Sequence, residues 1–431
     1  MIPSLEAALY RSSDADFPQE AILHLDEDQA GNLFLASNDN QVRLFQPPDQ
    51  IIHHYRLPRD GIETIYYHAP SQRLFVEANE LYSFDDQWAE PTIVHGVGST
   101  PKDMQAYKDH QLLVASGNGA YVVKPRSPTL NQAPLDSMFR KNFHYRNYKD
   151  KKGSIIQYLR LRSFRSRAIW GDSLRNRIWV AYADDLYYYE QGKAFILKTK
   201  HQKAIIGQDM VQDARGVLWV ATLRQGVFGI AEKQIKYHFD TSRGLISNNC
   251  RVIKTEGSEL WIGTNQGLQC LNLENLELRT MDRQDGLISP EVNDLLIQKD
   301  KVWVGTSLGL MSFARDMNTF NQVPPPIYIT GLKIWEKDTL LQTQEPYQLH
   351  YRQNNLKIEF RGLAFRSRGK FHYKYRLLNL DSTWVYADSK QNFARYPSLP
   401  PGDYTFEVKA VNEDGVESNQ AALLQLQIAY P

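Results

Sequence analysis

The chain has 431 residues, a formal net charge of +1 and 42% apolar residues. That length exceeds one ordinary compact domain, the apolar share is enough to build cores, and near-neutrality excludes a global pull toward nucleic acid or anionic membrane. No run of about 20 apolar residues occurs, so no membrane-spanning helix is expected, and two cysteines, Cys250 and Cys270, make neither a disulfide framework nor a CxxC metal site.

Met1 is followed by IPSLEAALYRSSD, which lacks the basic start and apolar core of a leader peptide. The expectation is a cytoplasmic protein or a chain whose leader has been removed. Then one pattern recurs: an apolar residue, an aromatic or Leu anchor, a second apolar residue, small residues, a polar turn and another apolar run. Its anchors are Phe34, Phe75, Leu113, Trp179, Trp219, Trp261 and Trp303. Successive gaps are 41, 38, 66, 40, 42 and 42 residues, so one insertion interrupts an otherwise even period.

A period near 40 with four short strands per unit marks a β-propeller blade. In the sixth copy the strands read CRVIKTE, LWIGT, LQCLNL and LELRTM, with a polar NQG turn between the second and third. Seven copies predict a closed ring, because an open array would expose strand edges and blade faces. The propeller is expected over residues 1–322. Residues Leu5–Tyr10 are expected to supply the outer strand of the last blade. Cys250 and Cys270 fall on the first and third strands of one blade, too far apart for a disulfide, and read as buried thiols.

The insertion, about 125–153, falls between the third and fourth strands of the third blade, because SIIQYLRLR alternates like an outer strand. Lys124 to Arg167 contain twelve Lys or Arg against two Asp, leaving −9 on the rest of the chain. Arg140, Lys141, Arg146, Lys149, Lys151 and Lys152 are the candidate contacts. Three readings stand side by side: an anionic ligand, an acidic surface of the second domain or of a partner subunit, or a solvated loop. Pro324 to Pro326 then mark a linker. Residues 323–431 carry six or seven alternating segments and predict an immunoglobulin or fibronectin-III-like β-sandwich. The fold class is therefore all-β, a seven-bladed β-propeller followed by a sandwich.

The repeat DGLIS…LWIGT…GL resembles the two-component regulator propeller repeat, closely in the last two copies and faintly in the first five. The segment FHYKYRLLNLDSTWVYAD…ARYPSLPPGDYTFEVKAVNEDG resembles the triple-tyrosine domain that follows such propellers, with Tyr373, Tyr375, Asp381, Trp384, Tyr396 and Tyr404 at matching positions. Together these resemblances cover nearly the whole chain. They imply the periplasmic sensor region of a bacterial histidine kinase or hybrid two-component system. They also imply a homodimer through the triple-tyrosine domain, and a membrane helix and output domain beyond LQIAYP. The best-known relatives carry two propellers and sense glycans; this chain carries one.

No catalytic motif, P-loop or metal spacing appears, so no cofactor, no metal and no catalysis by this chain are expected. The four tryptophans recur mid-strand at the repeat period and read as core rather than as sugar platforms. The turns between second and third strands present Asn38, Asn79, Asn118, Asp184, Arg224, Asn265 and Ser307 to one face. That ring suits a polyhydroxylated or charged small ligand, while Asn is also a common turn former. A protein-assembly scaffold and a propeller lyase or hydrolase are the alternative functions.

Overall fold

The computed structural model describes all residues except 1–7, 11–19, 48–49, 59–60, 89, 95–99, 109–110, 125–144, 150–154, 284, 299, 316–322, 340–345, 365–370 and 413–414. The chain divides into two compact units, Met1–Met317 and Asn318–Pro431.

Unit one is a ring of seven antiparallel sheets, the blades, whose strands are lettered A to D outward from the axis. Each anchor lies on strand B: Phe34 in Leu33–Ser37, Phe75 in Arg73–Glu77, Leu113 in Gln111–Ser116, Trp179 in Arg177–Tyr182, Trp219 in Leu218–Thr222, Trp261 in Glu259–Thr264 and Trp303 in Lys301–Thr306. All seven are buried. Their apolar area leaves water between blades, which makes the tryptophans core. The last blade takes its outer strand from the N-terminus: Ala8–Tyr10 pairs antiparallel with Gly309–Ala314, Ala8 opposite Ser312.

The repeated motif has a physical reading residue by residue. Two positions after the anchor stand Ala36, Ala115, Ala181, Ala221, Gly263 and Gly305. They are small because the next blade lies on them; a Cβ on Gly263 would come within 2.6 Å of Val292 of blade 7. The Thr that ends strand B closes the following turn. Thr222, Thr264 and Thr306 donate their hydroxyls to the carbonyls of Gly226, Gly267 and Gly309 at 2.8, 2.8 and 2.9 Å.

Gly226 sits at φ 74°, and an added Cβ would meet the Phe239 carbonyl oxygen at 2.0 Å. Gly226→Ala is therefore expected to cost about 2 kcal/mol, combining left-handed backbone strain with a clash against backbone. Urea denaturation of the variant beside the parent checks this.

The third blade holds the insertion. Its strand D is Ile155–Arg162, as SIIQYLRLR predicted, and pairs with strand C, Gly119–Lys124. The inserted stretch is more than a loop: Tyr145–Lys149 forms a fifth strand on the outer edge, Tyr145 opposite Leu159. YRNYK is short, but strand D offers it an open edge to pair with.

Cys250 and Cys270 occupy strands A and C of blade 6 and are free and buried. Burial pushes both thiols up to about 12. Native protein is expected to leave Ellman's reagent unreacted at pH 8, and to titrate two thiols once unfolded in guanidinium.

Unit two is a two-sheet sandwich. One sheet runs Lys337–Thr339, Ile327–Ile334, Leu356–Gly362, Phe393–Tyr396; the other runs Tyr347–Leu349, Ala422–Ile428, Gly402–Val411, His372–Leu378, Val385–Asp388. That makes nine strands among the described residues rather than six or seven. The extra strands are three or four residues long, too short to show alternation. Leu356, Ile358 and Phe360 face Tyr373, Leu377, Phe406 and Leu426 across the core. The buried tyrosines end in hydrogen bonds: Tyr373 accepts from the Gly362 N–H at 3.1 Å, and Tyr404 donates to the Pro400 carbonyl at 3.0 Å.

Candidate ligand site at the channel mouth

Strand A of each blade begins beside the end of strand B: Gly207 pairs with Thr222, Cys250 with Thr264, Val292 with Thr306. The B–C turns and the first residues of the A strands therefore share one face of the ring. All seven predicted turn residues lie in these B–C turns.

Most of their polar groups are engaged locally. Asn118 Oδ1 accepts from Ser116 Oγ and Tyr121 Oη at 2.9 and 2.7 Å. Asn265 Oδ1 accepts from Ser247 Oγ, and Ser307 Oγ meets Ser289 Oγ, each at 2.7 Å. Asp184 takes both Nη groups of Arg162 at 2.8 and 2.7 Å, and this pairing, ahead of a smaller opposing burial effect, holds its carboxyl below the ordinary range. Asn38 donates its backbone N–H to the Ala21 carbonyl, Asn79 adopts φ 63°, and Arg224 is exposed. Of the candidate insertion residues, Arg146 and Lys149 lie on the fifth strand of blade 3; Arg140, Lys141, Lys151 and Lys152 lie outside the described residues.

Sequence reasoning missed a second, inner ring. Strand A is the inner edge of every blade, so it presents unpaired backbone N–H groups that need partners. In blades 1, 2, 3, 4 and 6 the preceding blade supplies them. The N–H groups of Leu25, Tyr67, Ile169 and Ile253 donate to Asp294, Asp26, Asp103 and Asp209 at 2.8, 2.5, 2.8 and 2.9 Å. Ala106 donates to Tyr66 Oη and Gly171 to Gln105 Oε1, at 2.7 and 2.8 Å. The faint signal in the sequence was the recurrence of KDM, QDM and NDL at the start of strands A.

One residue earlier on these strands, polar side chains rim the channel entrance. Lys102 bonds Glu63. Arg167 donates to Gln208, and Arg251 to Asn293, each at 3.0 Å. Asn293 in turn donates to the Ile22 carbonyl at 2.9 Å.

Below the rim the lumen holds Lys254 and four carboxylates. Burial opposes the Lys254 ammonium, but Asp294, Asp209, Asp103 and Asp26 outweigh it and hold its pKa above the ordinary lysine value. Burial pushes Asp26 up to about 7 against the N–H bonds from Tyr67 and Glu27. Burial and Asp209 push Asp103 up to about 7, and burial raises Asp209 as well. Burial lowers His24.

Carboxyls poised near neutrality would suit general acid–base work. Here Asp26, Asp103, Asp209 and Asp294 are committed to backbone N–H groups, and each serves as a strut. Among the described residues no group of three or more His, Cys, Asp or Glu is disposed to hold a metal ion. No helix of the described residues is long and apolar enough to cross a membrane.

Residues 365–429 match the family model of the Y_Y_Y domain. Over 191 residues the chain is 28% identical to Histidine kinase P4 of Formosa agariphila, which is 41% of this chain and 14% of that protein. Among solved structures it is similar to the extracellular domain of the hybrid two component system BT3049 from B. thetaiotaomicron, with TM-score 0.69 and 16% identity, covering 96% of this chain and 56% of that one. It is also similar to the extracellular domain of the system BT4673 from B. thetaiotaomicron, with TM-score 0.52 and 18% identity, covering 96% and 57%. The chain thus spans about one-seventh of the curated relative, 14%, and just over half of the solved chains, 56% and 57%.

Proposed function

From a seven-bladed propeller followed by a Y_Y_Y domain, we propose that the chain is the extracytoplasmic ligand-sensing region of a bacterial two-component signalling protein. The observation that carries this reading is the pairing itself. A closed ring with a polar channel mouth precedes a Y_Y_Y match at 365–429, on a fold shared with extracellular domains of hybrid two component systems.

The ligand is a glycan or small anion that sits at the channel mouth. Two chains pair through their Y_Y_Y domains, and a membrane helix and output domain follow in the full-length protein. The ligand transmits a signal only if it binds one dimer pose better than the other.

A thermal-shift screen against saccharides and small organic anions, with chromatography of the recovered ligand, tests the reading. Stabilisation with the ligand returned unchanged is the expected result. Product formation would replace sensing by a propeller lyase or hydrolase. No stabilisation, with another protein captured stoichiometrically, would favour a scaffold.

A further inference from the structure

Four arginines fall within eight residues, RLRSFRSR, from Arg160 to Arg167 at the junction of blades 3 and 4. Two of them are anchored. Arg160 lies over the Tyr121 ring at 5.6 Å and donates to the Asn118 carbonyl. Arg162 is held by Asp184 and lies 4.5, 4.9 and 4.6 Å from the ring centroids of Phe164, Tyr182 and Tyr187. An aromatic cage with a carboxylate floor neutralises and orients that guanidinium.

Arg165 and Arg167 have no such anchor. Arg165 is exposed. Arg167 is half-buried, and among the described residues no carboxylate oxygen lies within 4.0 Å of its nitrogens. The carboxylates that could have served are committed: Asp184 to Arg162, Asp103 and Asp209 to the backbone of the following blades. Burial and the like charge of Arg165 both push the Arg167 pKa down, as an uncompensated cation requires.

The geometry of Arg167 is specific. Its Nη1 donates to Gln208 Oε1 at 3.0 Å, which pins one corner of the guanidinium. Its Nε is buried without a hydrogen-bond partner. With Nε closed off by burial and Nη1 held by Gln208, Nη2 is the corner that makes no hydrogen bond among the described residues, a charged donor free to meet a carboxylate or sulfate oxygen. We propose that Arg167, oriented by Gln208 and reinforced by Arg165, is the recognition group for an oxyanion carried by a small ligand at the channel mouth between blades 4 and 5. This rests on the reading that the channel mouth is the ligand site, and it names the ligand class.

The test uses the whole chain and four probes at matched ionic strength: sodium glucuronate, sodium sulfate, glucose and sodium chloride. Calorimetric titration and thermal shift are read together, because sulfate also stabilises proteins through exclusion from their surface. Glucuronate or sulfate is expected to bind and raise the Tm, while glucose and chloride do neither. Which of the two binds more tightly separates a carboxylate ligand from a sulfated one. Arg167→Gln is expected to weaken binding about 10-fold to 100-fold, the effect of losing a charged hydrogen-bonding group. Arg167→Lys keeps the charge without the planar group that Gln208 orients and falls between. The distant Lys236→Gln leaves binding unchanged. Without ligand, Arg167→Gln melts at or above the parent temperature, since an unpaired guanidinium has been removed, so lost binding is not lost folding.

Oxyanion binding unchanged in Arg167→Gln, or absent in the parent, overturns the proposal. A neutral saccharide that binds and is recovered intact also overturns it, yet leaves the sensing reading standing. Sensing itself fails if a bound probe is turned over.

Discussion

Replacing Lys254 by Met is expected to destabilise the propeller by about 2 kcal/mol or more at pH 8, with a smaller loss at pH 5.5. Lys254 is the cation in the lumen whose charge is balanced by Asp294, Asp209, Asp103 and Asp26. Removing one partner of a buried charge cluster typically costs about 3–5 kcal/mol. The value here falls lower, because Lys254 makes no ion pair within 4.0 Å among the described residues and its neighbours keep some solvent-accessible surface.

The sign with pH follows from proton counting. Asp26 and Asp103 already titrate near 7 in the folded ring, against a reference of 3.8. Without the ammonium their folded values rise further. The folded state then binds more protons than the unfolded state across this range, so stability increases as pH falls. Urea denaturation of parent and variant at pH 5.5 and pH 8 measures both effects. Equal losses at the two pH values would remove the electrostatic explanation and leave only packing.

Glu77→Gln is expected to act in the opposite direction and to stabilise the protein above neutrality by roughly 2 kcal/mol. Glu77 stands two positions after the anchor Phe75 in blade 2, where the other blades place Ala36, Ala115, Ala181, Ala221, Gly263 and Gly305. It is fully buried, and neither carboxylate oxygen has a hydrogen bond of normal geometry. Burial, with Glu63, pushes its carboxyl up to about 8, against the opposing pull of Lys102 and the Thr100 backbone. The unfolded group releases its proton near 4.5 and the folded group near 8. Between those values the folded state holds the extra proton, so stability falls as pH rises. The parent Tm should drop between pH 6 and pH 8.5, and the variant should lose most of that drop. A parent curve flat over this interval would show that Glu77 titrates at an ordinary value.

What could be read from the sequence was what is local. Trp261 with Ile262, Gly263 and Thr264 shows a pattern because each residue answers to a neighbour within its blade or at one fixed blade step. The same holds for the alternation in NLKIEFRGL and DYTFEVKAV. The inner ring could not be read this way. Asp209 on a strand reads as a poor strand former; its partner is the N–H of Ile253, 44 residues onward. Lys254 looks like one more surface lysine until the ring closes around it. The predicted turn ring shows the converse limit. Asn265 and Ser307 were placed in the right turns, but their engagement by Ser247 and Ser289 depends on how the preceding loop folds back. Arg167 stands out only when Arg160 and Arg162 of RLRSFRSR have been assigned their partners.

The borrowed strand of the last blade has a mechanical consequence. Because Ala8–Tyr10 fills the outermost place, the chain leaves blade 7 from strand C, Gly309–Ala314, which lies between Ala8–Tyr10 and Lys301–Thr306. A tug applied through the following residues therefore loads a strand clamped on both sides. Two ladders resist in shear, bond against bond along their length, where a free outer strand would peel open one bond at a time. The tether to whatever lies beyond is attached at a point that holds under tension, and the short segment from the other end of the chain acts as its rivet.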